Sequence, residues 1–306
     1  MIASLLPGDI HVFERGWLSS NNILFDDGHE SWLVDSGYST HSAQTLALVE
    51  RQLGSRKLDF LINTHLHSDH CGGNAALQEK YASLITLIPP GQAAFVKNWD
   101  AEALTYVATG QLCSRFAYSQ TLAPGTSKRL GLSVWDIHAA PGHDPDAVLL
   151  FEPIRRILIS GDALWEKGFG IVFPELEGLH AFDEVAATLE LIESLAPLMV
   201  IPGHGRVFEY TMETLSIARQ RLEAFVLSPT RHARHAVKVL LKFKLLEIQH
   251  QPLVEFQQWA ENTPYLHACR KRFFKDLDFL PFIEQMCAEL INSKAARVVD
   301  GVIYNA

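Results

Sequence analysis

The sequence lacks any apolar run approaching the roughly 20 residues that span a bilayer, so no membrane role is expected for its 306 residues. Its opening, Met1–Gly8, lacks the basic n-region and long apolar core of a secretory signal. Cysteine is scarce. Cys71, Cys113, Cys269 and Cys287 show no paired spacing, which points to reduced thiols and a cytoplasmic setting. An excess of positive charge is also missing: the formal net charge of −9 argues against a protein whose main task is to coat nucleic acid. No Gly-Xaa-Ser-Xaa-Gly elbow occurs, so a serine nucleophile is not expected.

What the sequence does contain is Thr64-His65-Leu66-His67-Ser68-Asp69-His70, three imidazoles and a carboxylate within seven residues. Imidazole nitrogen and carboxylate oxygen are the usual protein ligands for a borderline divalent ion. The preceding Phe60-Leu61-Ile62-Asn63 reads as a buried strand, and Gly72-Gly73 precedes the helical-looking stretch from Asn74. The cluster therefore sits at a strand's end, where active sites concentrate on layered folds. A surface loop carrying histidines by accident is the bland alternative. Three later segments argue against it, because each ends an apolar run in another ligand type: His143 after Ala139-Ala140-Pro141-Gly142, Asp162 after Ile157-Leu158-Ile159-Ser160-Gly161, and His204 after Ile201-Pro202-Gly203.

From Asp35 to about Gly205, these motifs resemble those of the metallo-beta-lactamase-fold hydrolases, in family order and at family-like spacing. The resemblance implies two metal ions, zinc foremost, with iron and manganese also compatible with the donor set. It assigns His65, His67 and His143 to the first ion, Asp69, His70 and His204 to the second, and Asp162 as a bridge with a shared hydroxide. Asp35 matches a supporting aspartate rather than a ligand. Two cations about 4 Å apart acidify a bridging water and polarise the bond being cut. Asp69 is then the candidate for orienting that nucleophile and handling its proton. The fold implied is α/β, a four-layer αββα sandwich.

Departures narrow the family. True beta-lactamases of this fold commonly place cysteine where Asp162 stands, and the flavin-partnered oxygen reductases place glutamate where His67 stands. After His143 this chain has Asp144-Pro145-Asp146, where many relatives carry Thr-Pro-Gly. Cys71, beside His70, reads either as a packing residue or as a redox-sensitive thiol.

The pattern along the chain fits that sandwich. Strands near 10–15, 22–25 and 31–34 open an antiparallel meander, followed by a helix over 41–53. A helix to about Tyr81, a strand over 84–88 and a helical stretch over 93–107 come next. Strands dominate from Gln120 to Asp162, and a helix spans Phe182 to Leu195 with Asp183 and Glu184 in its first turn. We place a catalytic domain over 1–210 and a second domain over 211–306, which reads as helices ending in a hairpin around Asp300-Gly301. Helices with a terminal hairpin resemble a winged-helix-type unit.

Charge differs between the two parts. Residues 1–210 carry 13 basic and 25 acidic side chains, and residues 211–306 carry 13 and 10. Arg231, Arg234, Lys238, Lys242 and Lys244 form either a phosphate-contacting face or an ordinary solvated helix surface. The stretch after Asp162 is aromatic and glycine-rich, so Trp165, Phe169 and Phe173 form either the wall of a small-molecule pocket or aromatics that pack the loop onto the second domain. The first expectation is a hydrolase of small thioesters, esters or lactones. The second is an endoribonuclease or phosphodiesterase using the same metals, and the third a metal-containing regulator without activity. Relatives often pair, so a homodimer is compatible with the resemblance.

Overall fold

The structure, a computed structural model, describes residues 6–306, so the stretch up to Leu5, read above for a signal sequence, lies outside the described residues. Packing divides the chain into two compact units, Met1–Leu104 with Leu112–Leu222, and Thr105–Gln111 with Glu223–Ala306.

The first unit is built on two six-stranded sheets. Strands β1 (Ile10–Phe13), β2 (Asn22–Asp26) and β3 (Ser31–Val34) form the expected antiparallel meander. A parallel neighbour cannot be reached by a tight turn. Helix α1 (Ser42–Leu53) therefore carries the chain to β4 (Phe60–Ile62), parallel to β3. The donor-rich segment, with α2 (Ser68–Cys71) and α3 (Asn74–Lys80), leads in turn to β5 (Ile85–Ile88), parallel to β4. After α4 (Ala93–Asn98) and α5 (Tyr106–Thr109), β6 (Gln120–Thr121) completes this sheet.

Strands β7 (Ser127–Leu130), β8 (Ser133–Ala139), β9 (Val148–Glu152) and β10 (Ile157–Gly161) run antiparallel in the second sheet. Helices α6 (Phe173–Glu177) and α7 (Phe182–Leu195) then return the chain to β11 (Met199–Pro202), parallel to β10, and β12 (Phe208–Glu209) closes the edge.

Side-chain alternation along the strands explains the layering. Phe25, Val34, Ile62 and Leu87 of the first sheet share one buried cluster with Trp135, Ile137, Leu150, Ile159 and Ile201 of the second. Their neighbours Leu24, Leu33 and Leu61 point the other way and pack with Val49 and Leu53 of α1 and Leu77 of α3. On α7, Val185, Leu189 and Ile192 are buried along one helical stripe. The result is the helix–sheet–sheet–helix sandwich that the sequence implied.

The expected helix over 93–107 is broken. Helix α4 stops at Asn98 because Trp99 turns left-handed (φ 51), and Thr105 (φ 67) does the same before α5. The Asp100 Oδ1 atom accepts the amide of Ala103 inside the interruption, a local bond that competes with a continuing helix.

The second unit contains α9 (Pro229–Ile248), α10 (Leu253–Glu261), α11 (Pro264–Phe273) and α12 (Phe279–Asn292), after α8 (Met212–Leu227), within which the division falls. Pro229 and Pro264 start their helices, where a missing amide proton costs nothing. Strands β14 (Ala296–Val299) and β15 (Val302–Asn305) form the hairpin, with Asp300 and Gly301 both at positive φ as its two-residue turn requires. A third strand, β13 (His250–Pro252), pairs with β15. No described helix is long and apolar enough to cross a membrane.

Candidate metal centre

Four strand ends deliver the donors. His65 and His67 follow β4, and the single turn of α2 carries Asp69 and His70. His143 lies in the β8–β9 connection, Asp162 follows β10 and His204 follows β11. All seven residues come together. Donor atoms of His65, His67 and His143 lie within 4.8 Å of one another, as do those of His65, His70 and Asp162, and those of Asp69, His70 and His204.

Asp162 stands between two groups of imidazoles. Its Oδ2 lies 3.4 Å from His143 Nε2, while its Oδ1 lies 3.4 Å from His70 Nε2 and 3.9 Å from His204 Nε2. The His67 Nδ1 and His143 Nε2 atoms face each other at 2.8 Å, and the Asp69 Oδ2 lies 3.0 Å from His204 Nε2. The buried Nε2 atoms of His65 and His70 have no hydrogen-bond partner among the described residues. A buried polar atom without a partner is costly, and a divalent cation satisfies these lone pairs. The donor set, imidazole with carboxylate, fits such an ion.

Several backbone features hold the donors in place. Asp35 sits at positive φ (58), and its carboxylate accepts from the Thr64 amide and hydroxyl, each at 2.9 Å. That carboxylate also binds His70 Nδ1 at 2.7 Å, which leaves the opposite nitrogen of His70 facing Asp162. Asn21 Nδ2 donates to the carbonyls of Pro202 and Gly205 at 2.9 and 2.7 Å, fixing the turn that carries His204. Gly203 is needed for space. A Cβ there would stand 2.3 Å from Asp162 Oδ1 and 2.9 Å from His70 Cε1.

Electrostatics favour neutral imidazoles on one side. Burial, reinforced by the neighbouring imidazoles, holds His65 well below its ordinary value, and burial holds His67 and His143 at about 4. Burial also opposes charge on His70, yet Asp35, Asp162 and Asp69 outweigh it and raise that imidazole well above its usual range. Burial would push Asp162 up, but His204, His70 and His143 keep it well below the carboxylate range. His65, His67, His143 and the Asp162 carboxylate therefore present lone pairs near neutrality, whereas His70 must release a proton before it can hold a cation.

Of the aromatic residues expected at a pocket, Trp165 and Phe173 stand against the donors. Trp165 Nε1 donates to Asp162 Oδ1 at 3.2 Å, and its ring meets that of His204 edge-on at 5.6 Å. Phe173 lies 5.2 Å from the His67 ring. Phe169 is instead buried, with Arg221 5.5 Å above its ring.

Two neighbours of the donors were not anticipated as site residues. Trp17, 57 % exposed, stacks on His204 at 5.4 Å and meets Trp165 at 5.3 Å. No periodicity marks it, since it lies in the irregular stretch between β1 and β2. Asp144, buried and raised in pKa by that burial, places Oδ2 3.7 Å from His67 Nε2. Its only signal in the sequence was the departure from Thr-Pro-Gly.

Comparison with known proteins decides the family. The metallo-beta-lactamase superfamily model matches residues 15–204. The chain belongs to this superfamily. The hydroxyacylglutathione hydrolase of Brucella anthropi is 29% identical over 174 residues, 55% of this chain and 55% of that protein. The chain thus spans about half the length of the curated relatives it matches. The metallo-beta-lactamase family protein TTHA1429 from Thermus thermophilus has a similar fold, with a TM-score of 0.55, 18% identity and coverage of 99% of this chain and 100% of that one. TTHA1623, solved in a di-iron-bound form, aligns with a TM-score of 0.52 and 26% identity, covering 68% of this chain and 96% of that one.

Proposed function

We propose that the protein is a dinuclear metal-dependent hydrolase of a small thioester, ester or lactone. The observation that carries this reading is the position of Asp162, one oxygen toward His143 and the other toward His70 and His204. His65, His67 and His143 would hold one ion, Asp69, His70 and His204 the other, and Asp162 would hold both, with zinc the first choice and iron or manganese the alternatives. When bound, such ions acidify water to a hydroxide nucleophile and stabilise charge developing on the carbonyl oxygen.

The chain's own residues supply the rest. The Asp69 carboxylate, bonded through Oδ2 to His204 and lying on the one-turn helix, would orient the attacking water and receive its proton. Trp165 fixes Asp162 through its indole N–H. Trp17, Trp165 and Phe173 offer apolar surface beside the donors, suited to excluding water from a small acyl group. The likeness to hydroxyacylglutathione hydrolases supports a thioester as the first substrate to try. All seven candidate ligands precede residue 211, which supports a catalytic domain over 1–210 with an accessory domain, winged-helix-like in its order of helices and hairpin, over 211–306. Four unbridged cysteines support a reducing, cytoplasmic setting.

The nuclease reading finds less support. Within the second unit Arg234 and Lys238 both pair with Glu289, Lys244 pairs with Glu247, and Lys242 donates to the Ala295 and Ala306 carbonyls. Four of the five basic side chains of that stretch are therefore already engaged within the unit, although only two carboxylates face them. The test is a panel of S-lactoylglutathione, acyl-CoA, lactones, bis(p-nitrophenyl) phosphate and single-stranded RNA, offered to zinc- and manganese-loaded protein. Hydrolysis of an acyl substrate is expected. Silence on every acyl compound together with RNA cleavage would reject the proposal.

A further inference from the structure

Beside the donors lies a chemically distinct pair. Cys71 ends α2, directly after His70, and is fully buried. Cys113 lies in the irregular stretch leading to β6 and is partly exposed. They are 42 positions apart in sequence, yet their Sγ atoms are 3.8 Å apart. Each thiol also has a backbone acceptor, Leu66 O at 3.4 Å for Cys71 and Ser114 O at 3.8 Å for Cys113.

We propose that Cys71 and Cys113 are a reversible dithiol site whose co-reactant is a low-molecular-weight disulfide. In the first step the partly exposed Cys113 sulfur attacks one sulfur of that disulfide, forming a mixed disulfide and releasing one small thiol. In the second, Cys71 attacks the Cys113 sulfur, forming the Cys71–Cys113 bond and releasing the second small thiol. The two cysteines lose two electrons, the small disulfide gains them, and the cysteine protons leave on the released thiols.

Geometry favours closure from one side. A disulfide of about 2.05 Å requires the sulfurs to approach by roughly 1.8 Å. Cys71 is anchored: its amide binds the His67 carbonyl at 3.1 Å, and the His70 carbonyl accepts from the Ser36 amide at 2.7 Å and Asn63 Nδ2 at 3.1 Å. Cys113 lies between exposed residues, Leu112 and Ser114, with the Leu112 amide donating to Tyr38 Oη at 2.8 Å. Closure therefore draws the 112–114 segment toward α2 and leaves the donor turn in place.

A merely packed pair and a reactive pair give different chemistry. Native, metal-loaded full-length protein is treated with excess glutathione disulfide, quenched in acid, alkylated, digested without reductant and analysed by mass spectrometry. The expected result is a fall from four titratable thiols to two, with a peptide linking Cys71 to Cys113 that is lighter by two hydrogens and is restored by dithiothreitol. In Cys113→Ser the Cys71 thiol should survive. In Cys71→Ser the reaction should stop at the Cys113 mixed disulfide; if that buried substitution prevents folding, Cys113→Ser alone decides. The proposal is overturned if the native protein keeps all four thiols, holds a stable adduct on Cys113 with Cys71 still reduced, or forms a link through Cys269 or Cys287. It is equally overturned if Cys113→Ser still loses the Cys71 thiol.

Discussion

At the scale of single residues, Asp35 shows how much of the site lies outside its donors. Three hydrogen bonds converge on its carboxylate while its backbone occupies a left-handed conformation uncommon for a non-glycine residue. Asp35→Asn keeps the size but offers His70 a weaker acceptor. Metal affinity at the His70 side should fall about 10- to 100-fold, measured by competition with a chromogenic chelator, and unchanged affinity would remove Asp35 from the support role.

The imidazoles predict a pH dependence of stability with a definite sign. His67 and His143 are held at about 4 in the folded chain against 6.5 when free. Between those values the unfolded chain binds protons that the folded site refuses, so stability of the metal-free protein should drop as pH falls from about 6.5 to about 4. The loss is on the order of 3 kcal/mol per imidazole at the lower end. His70 cannot offset it, because its raised value makes a contribution already complete below 6.5 and lost only as pH rises through the folded value. Urea denaturation of metal-free protein at several acidic pH values checks this; a flat profile would contradict it.

At the scale of elements, the sandwich core should dominate stability. Trp135 on β8 is fully buried and meets Phe25 of β2 edge-on at 5.3 Å. Trp135→Ala should cost about 3–5 kcal/mol, read as a lowered urea midpoint, and a loss below about 1 kcal/mol would mean that the core collapses around the gap. Elements with strong periodicity or turn chemistry were legible in the sequence, as the Asp300-Gly301 hairpin and the strands that end in Asp162 and His204 show. Strand β13 was not, because His250-Gln251-Pro252 carries no apolar alternation and is a strand only through its pairing with β15. The break after α4 was hidden for a related reason: nothing in Ala93–Val107 forbids a helix except the left-handed turns at Trp99 and Thr105. The donors were readable because ligand chemistry restricts residue type. Trp17 was not, since its contact with His204 depends on tertiary placement alone.

At the scale of the whole molecule, the superfamily fold brings four distant strand ends to one place, and the chemistry follows from what those ends carry. The central claim is that Asp162 is shared by two ions. Elemental analysis of the purified, metal-loaded protein beside Asp162→Ala tests it most directly. The account predicts about two divalent ions per native chain and at most one in the variant, with its fold retained by circular dichroism. A native chain that binds no divalent metal, or a variant that keeps the full complement, would contradict it.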